Sequence, residues 1–343
     1  MRRFIQILIL LVLGILLIPL LLPNKLSAEA EKDFDYPPGI IFEEFNNMKE
    51  FSEWDPWTSG DSLVTQEFYA PYRGMGAGYK WKSVDSEGEI TVNKSDLNKS
   101  IVYALEGLNL GKSSEMKASF QSLDSTKTKV KWSIDSEEIG YFSRYYNYFT
   151  SKKLTEKLQQ GLNKLEGNLK NSALTSEQAV SLTPGMIKTE DFEGQKLITV
   201  MNETSLEKEE LKTATEESFG LIYSYLVDYL KISPTKVSSP ITYFEYVDLA
   251  SKKAKFYCGF AISESVKLGE GMQLMALPAT ETLVCIHKGS HETIDETLSK
   301  MKDYAKKNKL NLENSYWEVF QNDPKSTPKP EDLLTKIYIP IKK

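Results

Sequence analysis

A repeat in the C-terminal half constrains this chain more than any other feature. KLITVM, a helical segment, ITYFEYVD and KFYCGFAI follow one another; TLVCIH, a second helical segment, SYWEVFQ and TKIYIPI then do the same. Each half reads β-α-β-β: short runs of β-branched and aromatic residues, bounded by turn formers, around a stretch with apolar residues at three- and four-residue steps. The first helix is predicted to open on the capping-box pattern Thr204 to Glu207. Phe219, Ile222, Leu226, Tyr229 and Leu230 form its stripe. The second helix is expected after Ser290, with Ile294, Leu298, Met301, Tyr304 and Ala305 inward. Two such halves predict one pseudo-twofold sheet with a groove at its centre.

Aligning Tyr243–Asp248 on Tyr316–Gln321 places Glu245 on Glu318. Side chains alternate along a strand, so Glu318 shares a face with Tyr316 and Phe320. On an edge strand such a glutamate reaches water; inside a groove it is costly unless paired. A flat cation between aromatic walls and a carboxylate gains cation–π and Coulomb attraction together. The candidate ligand-binding residues are therefore Glu318, Phe320, Tyr316, Glu245, Tyr243 and Tyr225. Two carboxylates facing one groove repel unless a cation lies between them, and a solvated strand face is the plainer reading of Glu245.

The N-terminus carries a different signal. Arg2 and Arg3 precede a run that is uncharged from Phe4 to Leu22, close to the roughly 20 residues a helix needs to cross a bilayer. The expectation is a single-pass anchor, favoured over a cleaved signal. The arginines would lie on the cytoplasmic side and the rest of the chain outside the cytoplasm of a bacterial cell. A length of 343 residues predicts two domains after it. Glu31–Tyr36 reads as a strand, and PPGIIFEEFNNMKEFSEW as helical. GAGYKWKSV, GEITVNKS, SIVYALEG, SEMKASFQSL and KVKWSID read as an antiparallel sheet. Leu154, Leu158, Leu162, Leu165 and Leu169 stripe a long closing helix. The boundaries are 1–24 for the anchor or signal, 25–171 for the first domain, 172–186 for a polar linker and 187–343 for the repeat, an α+β chain throughout.

Other features exclude more than they assign. A net charge of −6 without a dense Lys/Arg stripe argues against nucleic acid as partner. Cys258 and Cys285 either pair outside the cytoplasm or stay buried as free thiols. His287 and His291 straddle Gly289 at a turn, off any common helical face. Gly74, Gly76 and Gly78 lead into a strand rather than a helix, outside a dinucleotide context. No metal and no cofactor is expected. Trp54 and Trp57 are read as closing the first helix on the sheet, and Trp81, Tyr103 and Trp132 as candidates to line an interior.

LPATETLVCIHKGSHETI, followed by WEVFQNDPKSTPKPEDLLTKIYIPI, resembles the gyrase-inhibitor-like effector-binding domain, which is also the sensing half of AraC- and MerR-type regulators. The likeness runs from about Ile187 to Lys343. It implies that Glu318 lies in the central groove and contacts cationic aromatic ligands. This sequence departs from the pattern at Phe320, where tyrosine is usual, and at Lys336, where glutamate is usual. FNNMKEFSEWDPW, RGMGAGYKWKS, SIVYALEG, TKVKWSID and the leucine-striped helix resemble the START-like (SRPBCC, polyketide-cyclase-like) superfamily over about Glu31–Asn171. That resemblance implies a helix-grip fold with an apolar cavity. The chain is thus expected to be an extracytoplasmic, membrane-anchored binder of a small apolar or cationic aromatic molecule. Two alternatives stand beside it. One is a hydrolase of electrophilic small molecules with Glu318 as general base; the other is an envelope interaction module without a ligand.

Overall fold

In the computed structural model the described residues are 6, 10, 11, 13, 14, 16–59, 63–84, 86–107, 114–138, 140–171, 182–248, 250–262, 265–322, 327 and 329–342. Among them no helix is long and apolar enough to cross a membrane. The single-pass anchor, and the placement of the domains outside the cytoplasm that rested on it, are therefore withdrawn. Hydropathy measured only how apolar Phe4–Leu22 is. Proline lacks the amide proton that a continuing helix needs, and Pro19 sits within a 3-10 turn, Ile18–Leu20, that Leu21 closes. Strand β1 (Lys25–Phe34) begins four residues later.

That strand starts a seven-stranded antiparallel sheet. Its others are β2 (Thr65–Tyr69), β3 (Gly78–Lys82), β4 (Glu87–Asp96), β5 (Ser100–Gly107), β6 (Ser114–Ser122) and β7 (Thr128–Glu138), in the order β1-β7-β6-β5-β4-β3-β2. Strict alternation drives it: β7 buries every second residue along most of its length, including Val130, Trp132 and Ile134. The expected first helix is two, α1 (Pro38–Asn46) and α2 (Met48–Trp54). Asn47 breaks them apart in extended conformation and caps the second, its side chain accepting from the Lys49 amide. The closing helix α3 (Arg144–Asn171) buries all five leucines of its stripe. Trp54, Trp132, Phe45 and Phe51 fill the space beneath it, with ring centroids 4.7–6.1 Å apart. Trp81, Tyr103 and Trp132 all point into this core. Gly161 lets α3 come close, since a Cβ there would stand 2.9 Å from the Trp132 ring.

The second sheet has eight strands: β8 (Ile187–Phe192), β9 (Gln195–Ser205), β10 (Ile241–Asp248), β11 (Lys253–Ala261), β12 (Met272–Leu277), β13 (Thr280–Lys288), β14 (Tyr316–Phe320) and β15 (Leu334–Pro340). Their order is β12-β9-β11-β10-β14-β15-β13-β8, a pseudo-twofold arrangement about the β10–β14 pair. Each half has one strand more than the repeat predicted. β8 precedes β9 in sequence but pairs with β13, and β12 precedes β13 but pairs with β9, so each half lends its first strand to the other's edge. The helices are α4 (Lys208–Tyr223) and α5 (Ile294–Lys307). Helix α4 begins past the predicted box: Thr204 and Ser205 belong to β9 and hydrogen-bond the Glu210 carboxylate. It runs into a π-helical turn, Ser224–Tyr229, which buries Leu226 and leaves Tyr229 exposed. Helix α5 buries Ile294, Leu298, Met301 and Ala305, while Tyr304, expected inward, is exposed.

Of the expected linker, 172–181 lies outside the described residues. Its end is packed: Leu182 is buried, and Pro184 bridges Ile286. The 323–326 part of the turn after β14 is likewise outside. Asn322 ties the returning chain, accepting from the Leu334 amide and donating to the Asp332 carbonyl. Cys258 and Cys285 are buried free thiols. They lie on β11 and β13, four strand spacings or roughly 19 Å apart, far beyond disulfide reach.

Candidate functional site

Across the middle of the second sheet, partners in register draw one line: Cys258, Thr242, Glu318, Ile337, Cys285. Residues opposed in register share a face. At one end Cys285 and Ile337 pack under α5, and at the other Cys258 packs near Leu211, Ala214 and Phe219 of α4. Thr242 and Glu318 fall in the gap between the helices. Both are 1% exposed.

The walls are aromatic. Tyr316 stacks on Phe244 at 4.7 Å and 12°. Phe320 meets Phe219 edge-on at 5.7 Å and lies against His291 at 5.0 Å and 14°. His291 is the residue that sequence reasoning did not bring here. Gly289, at φ +136°, turns the chain after β13, and Ser290 caps the following turn by accepting from the Glu292 amide. The half-exposed imidazole then hangs over the groove with Nε2 2.8 Å from Glu318 Oε2. Burial works against its charge, but the Glu318 carboxylate outweighs burial and holds His291 above its ordinary value. Tyr316 is pushed well up by burial and then by the same carboxylate. Apart from that ion pair with His291, Glu318 Oε2 has no hydrogen-bond partner among the described residues, and neither has Thr242 Oγ1. The other histidine, His287, is a structural one, bonded to Thr297 and the Ser290 carbonyl.

The other sequence candidates are not gathered here. Glu245 lies on the opposite face, exposed, bonded to Lys255 at 2.8 Å and to the Tyr257 hydroxyl at 2.9 Å. Tyr243 faces Tyr257 on that side too. The reason is register: Thr242, not Glu245, opposes Glu318, and a bulge follows Phe244. The repeat alignment is off by an odd number of residues, and an odd slip moves a side chain to the other face. Tyr225 lies in the π-helical turn, its hydroxyl donating to the Lys267 carbonyl and its ring stacked on Tyr229.

The groove opens into a cleft of about 2030 Å³ that continues between the two sheets' domains. There Lys336 is buried. It donates to both Glu190 oxygens at 3.0 and 3.1 Å and lies over the Tyr338 ring. Arg73 of the first domain reaches Glu190 at 2.9 Å. Burial raises the Glu190 carboxyl, but Lys336 and Arg73 outweigh it and hold it below its ordinary value. No group of three or more metal-ligating side chains occurs among the described residues.

Residues 186–342 match the GyrI-like small molecule binding domain, so the C-terminal half is a domain of that family. No curated protein matches the sequence. Among solved structures, the EcmrR C-terminal domain is 15% identical, with a TM-score of 0.39 over 46% of this chain and 98% of that one. A hydrolase from Listeria innocua is 13% identical, with a TM-score of 0.35 over 46% and 93%. SAV2435 bound to tetraphenylphosphonium is 10% identical, with a TM-score of 0.35 over 46% and 94%.

Proposed function

We propose that this chain binds a small cationic aromatic molecule in the groove between α4 and α5, with Glu318 supplying the charge and Tyr316 and Phe320 the walls. One observation carries the reading: a carboxylate 1% exposed, on the floor of an aromatic groove, whose near cationic partner is only the half-exposed imidazole of His291. A buried ionised group is stable only when paired, and an aromatic groove offers a flat cation stacking and charge together. The binder is read as non-enzymatic, and its ligand is assigned to this groove rather than to the first domain. Residues 25–171 are read as a START-like helix-grip domain, which the antiparallel sheet closed by one long helix supports. Aromatic side chains occupy its interior.

The test is a fluorescence titration of the full chain with ethidium and rhodamine 6G, beside Glu318→Gln. Glutamine keeps the shape and removes the charge. The expected loss is tenfold or more in affinity, equal to about 1.4 kcal/mol, with the circular dichroism spectrum unchanged. A dye bound equally by both proteins would refute the role of Glu318.

A further inference from the structure

Apart from the ion pair with His291, two buried polar atoms in the groove lack hydrogen-bond partners among the described residues: Glu318 Oε2 and Thr242 Oγ1. They belong to residues opposed in register on β14 and β10, whose Cβ atoms such pairing sets about 4.5–5.5 Å apart. The Cys258 thiol on the far side of Thr242 is only a weak hydrogen-bonding group. An orphaned buried acceptor is destabilising, so the site is built for something that donates. His291 shows what fits. It is a flat, N–H-bearing aromatic cation when protonated, stacked on Phe320 with a nitrogen 2.8 Å from the carboxylate. Yet it is half exposed, on a turn behind a glycine. Glu318 faces it, Glu292 and Asp295 belong to its own segment, and Lys208, Glu209, Lys212 and Glu216 of α4 line the same cleft. Lys208 is engaged with Glu292 at 3.6 Å.

Resting on the groove reading above, we propose that the occupant is a planar cation carrying N–H donors, of the amidinium or protonated amino-heteroaromatic class. It takes the place of the His291 side chain and bonds both Glu318 Oε2 and Thr242 Oγ1. A permanent cation without N–H leaves both atoms unsatisfied and is discriminated against. Displaced into water, the imidazole returns to its ordinary proton affinity and gives up its proton to solvent wherever the pH lies between that value and the raised one. Across that interval affinity rises with pH, by up to about tenfold per unit, and it is level on either side.

The experiment compares two fluorescent probes of one shape on the full chain: 9-aminoacridinium, which carries N–H donors, and 10-methylacridinium, which has none. The expected result is at least tenfold tighter binding of 9-aminoacridinium, a gap that Thr242→Val narrows. His291→Ala should tighten 9-aminoacridinium binding at pH 6 and flatten its pH dependence. Equal affinity for the two probes in the wild type overturns the donor requirement and leaves the groove reading standing. A His291→Ala variant that binds more weakly makes His291 a wall, not a stand-in, and overturns the displacement. Binding of neither probe at millimolar concentration sinks the groove reading itself and this inference with it.

Discussion

Consider replacing Glu190 by glutamine. The carboxylate is the shared partner of Lys336 and Arg73, and in the Lys336–Glu190 pair the two side chains are 10% and 12% exposed. Removing one partner of a buried pair leaves an uncompensated charge and costs roughly 3–5 kcal/mol. Arg73, at 35%, keeps access to water, so its share is screened and the cost falls mainly on Lys336. We therefore take the low end, about 3 kcal/mol. At roughly 2–4 °C per kcal/mol for a domain of this size, the unfolding transition should fall by about 6–12 °C, read by calorimetry at pH 7. Adding Lys336→Met should restore most of the loss, because an apolar side chain there asks for no partner. The sign with pH is fixed as well. Glu190 has a folded pKa below its unfolded value, so its contribution is present above the unfolded value and is lost as pH falls through the folded one. The gap between wild type and Glu190→Gln should therefore close in acid. A single variant within 1 kcal/mol of wild type, or a double variant less stable than the single, would refute the reasoning.

Three further outcomes are expected. Both thiols should resist a thiol reagent in the native protein and react on unfolding, because burial pushes Cys258 up to about 12 and Cys285 up to about 11; a fast-reacting native thiol would contradict their placement. Gly161→Ala should cost about 1–3 kcal/mol in denaturant unfolding, since the new methyl meets the Trp132 ring at 2.9 Å; a stabilised variant would place α3 farther from the sheet. By NMR, the His291 imidazole should titrate above an ordinary histidine in the wild type and fall in Glu318→Gln, because the carboxylate is what raises it. An unmoved His291 would mean the two side chains do not meet in solution.

Much of this was legible in the sequence, for reasons that differ by element. The repeat was readable because β-α-β-β imposes two periods in a fixed order, and the shared face of Tyr316, Glu318 and Phe320 follows from alternation within one strand. Strands β8 and β12 were not. Both are edge strands with mixed exposure, and their partners lie in the other half. Glu245 does lie on the solvated face that was its plainer reading; its alignment on Glu318 failed because matching two strands by composition does not fix parity, and one residue of slip reverses the face. The separation of the cysteines needed the strand order, which no local pattern encodes. His291 became part of the site through a turn at Gly289, visible as a glycine but not as a direction. At the N-terminus, hydropathy spoke for length and apolarity and was silent on the break at Pro19.

The exchanged edge strands set an order of events during synthesis. Strand β8 leaves the ribosome well before β13, the strand it pairs with, and until Thr280–Lys288 emerges it has no edge to join. The first half can form its helix and its β9–β11–β10 core early, but not its closed outline. Because β12 then returns to β9, the sheet is clasped from both sides only when the second half is made. A strand made some ninety residues later thus decides whether the first strand of the domain is ever secured, and with it the groove that lies midway between the two clasps.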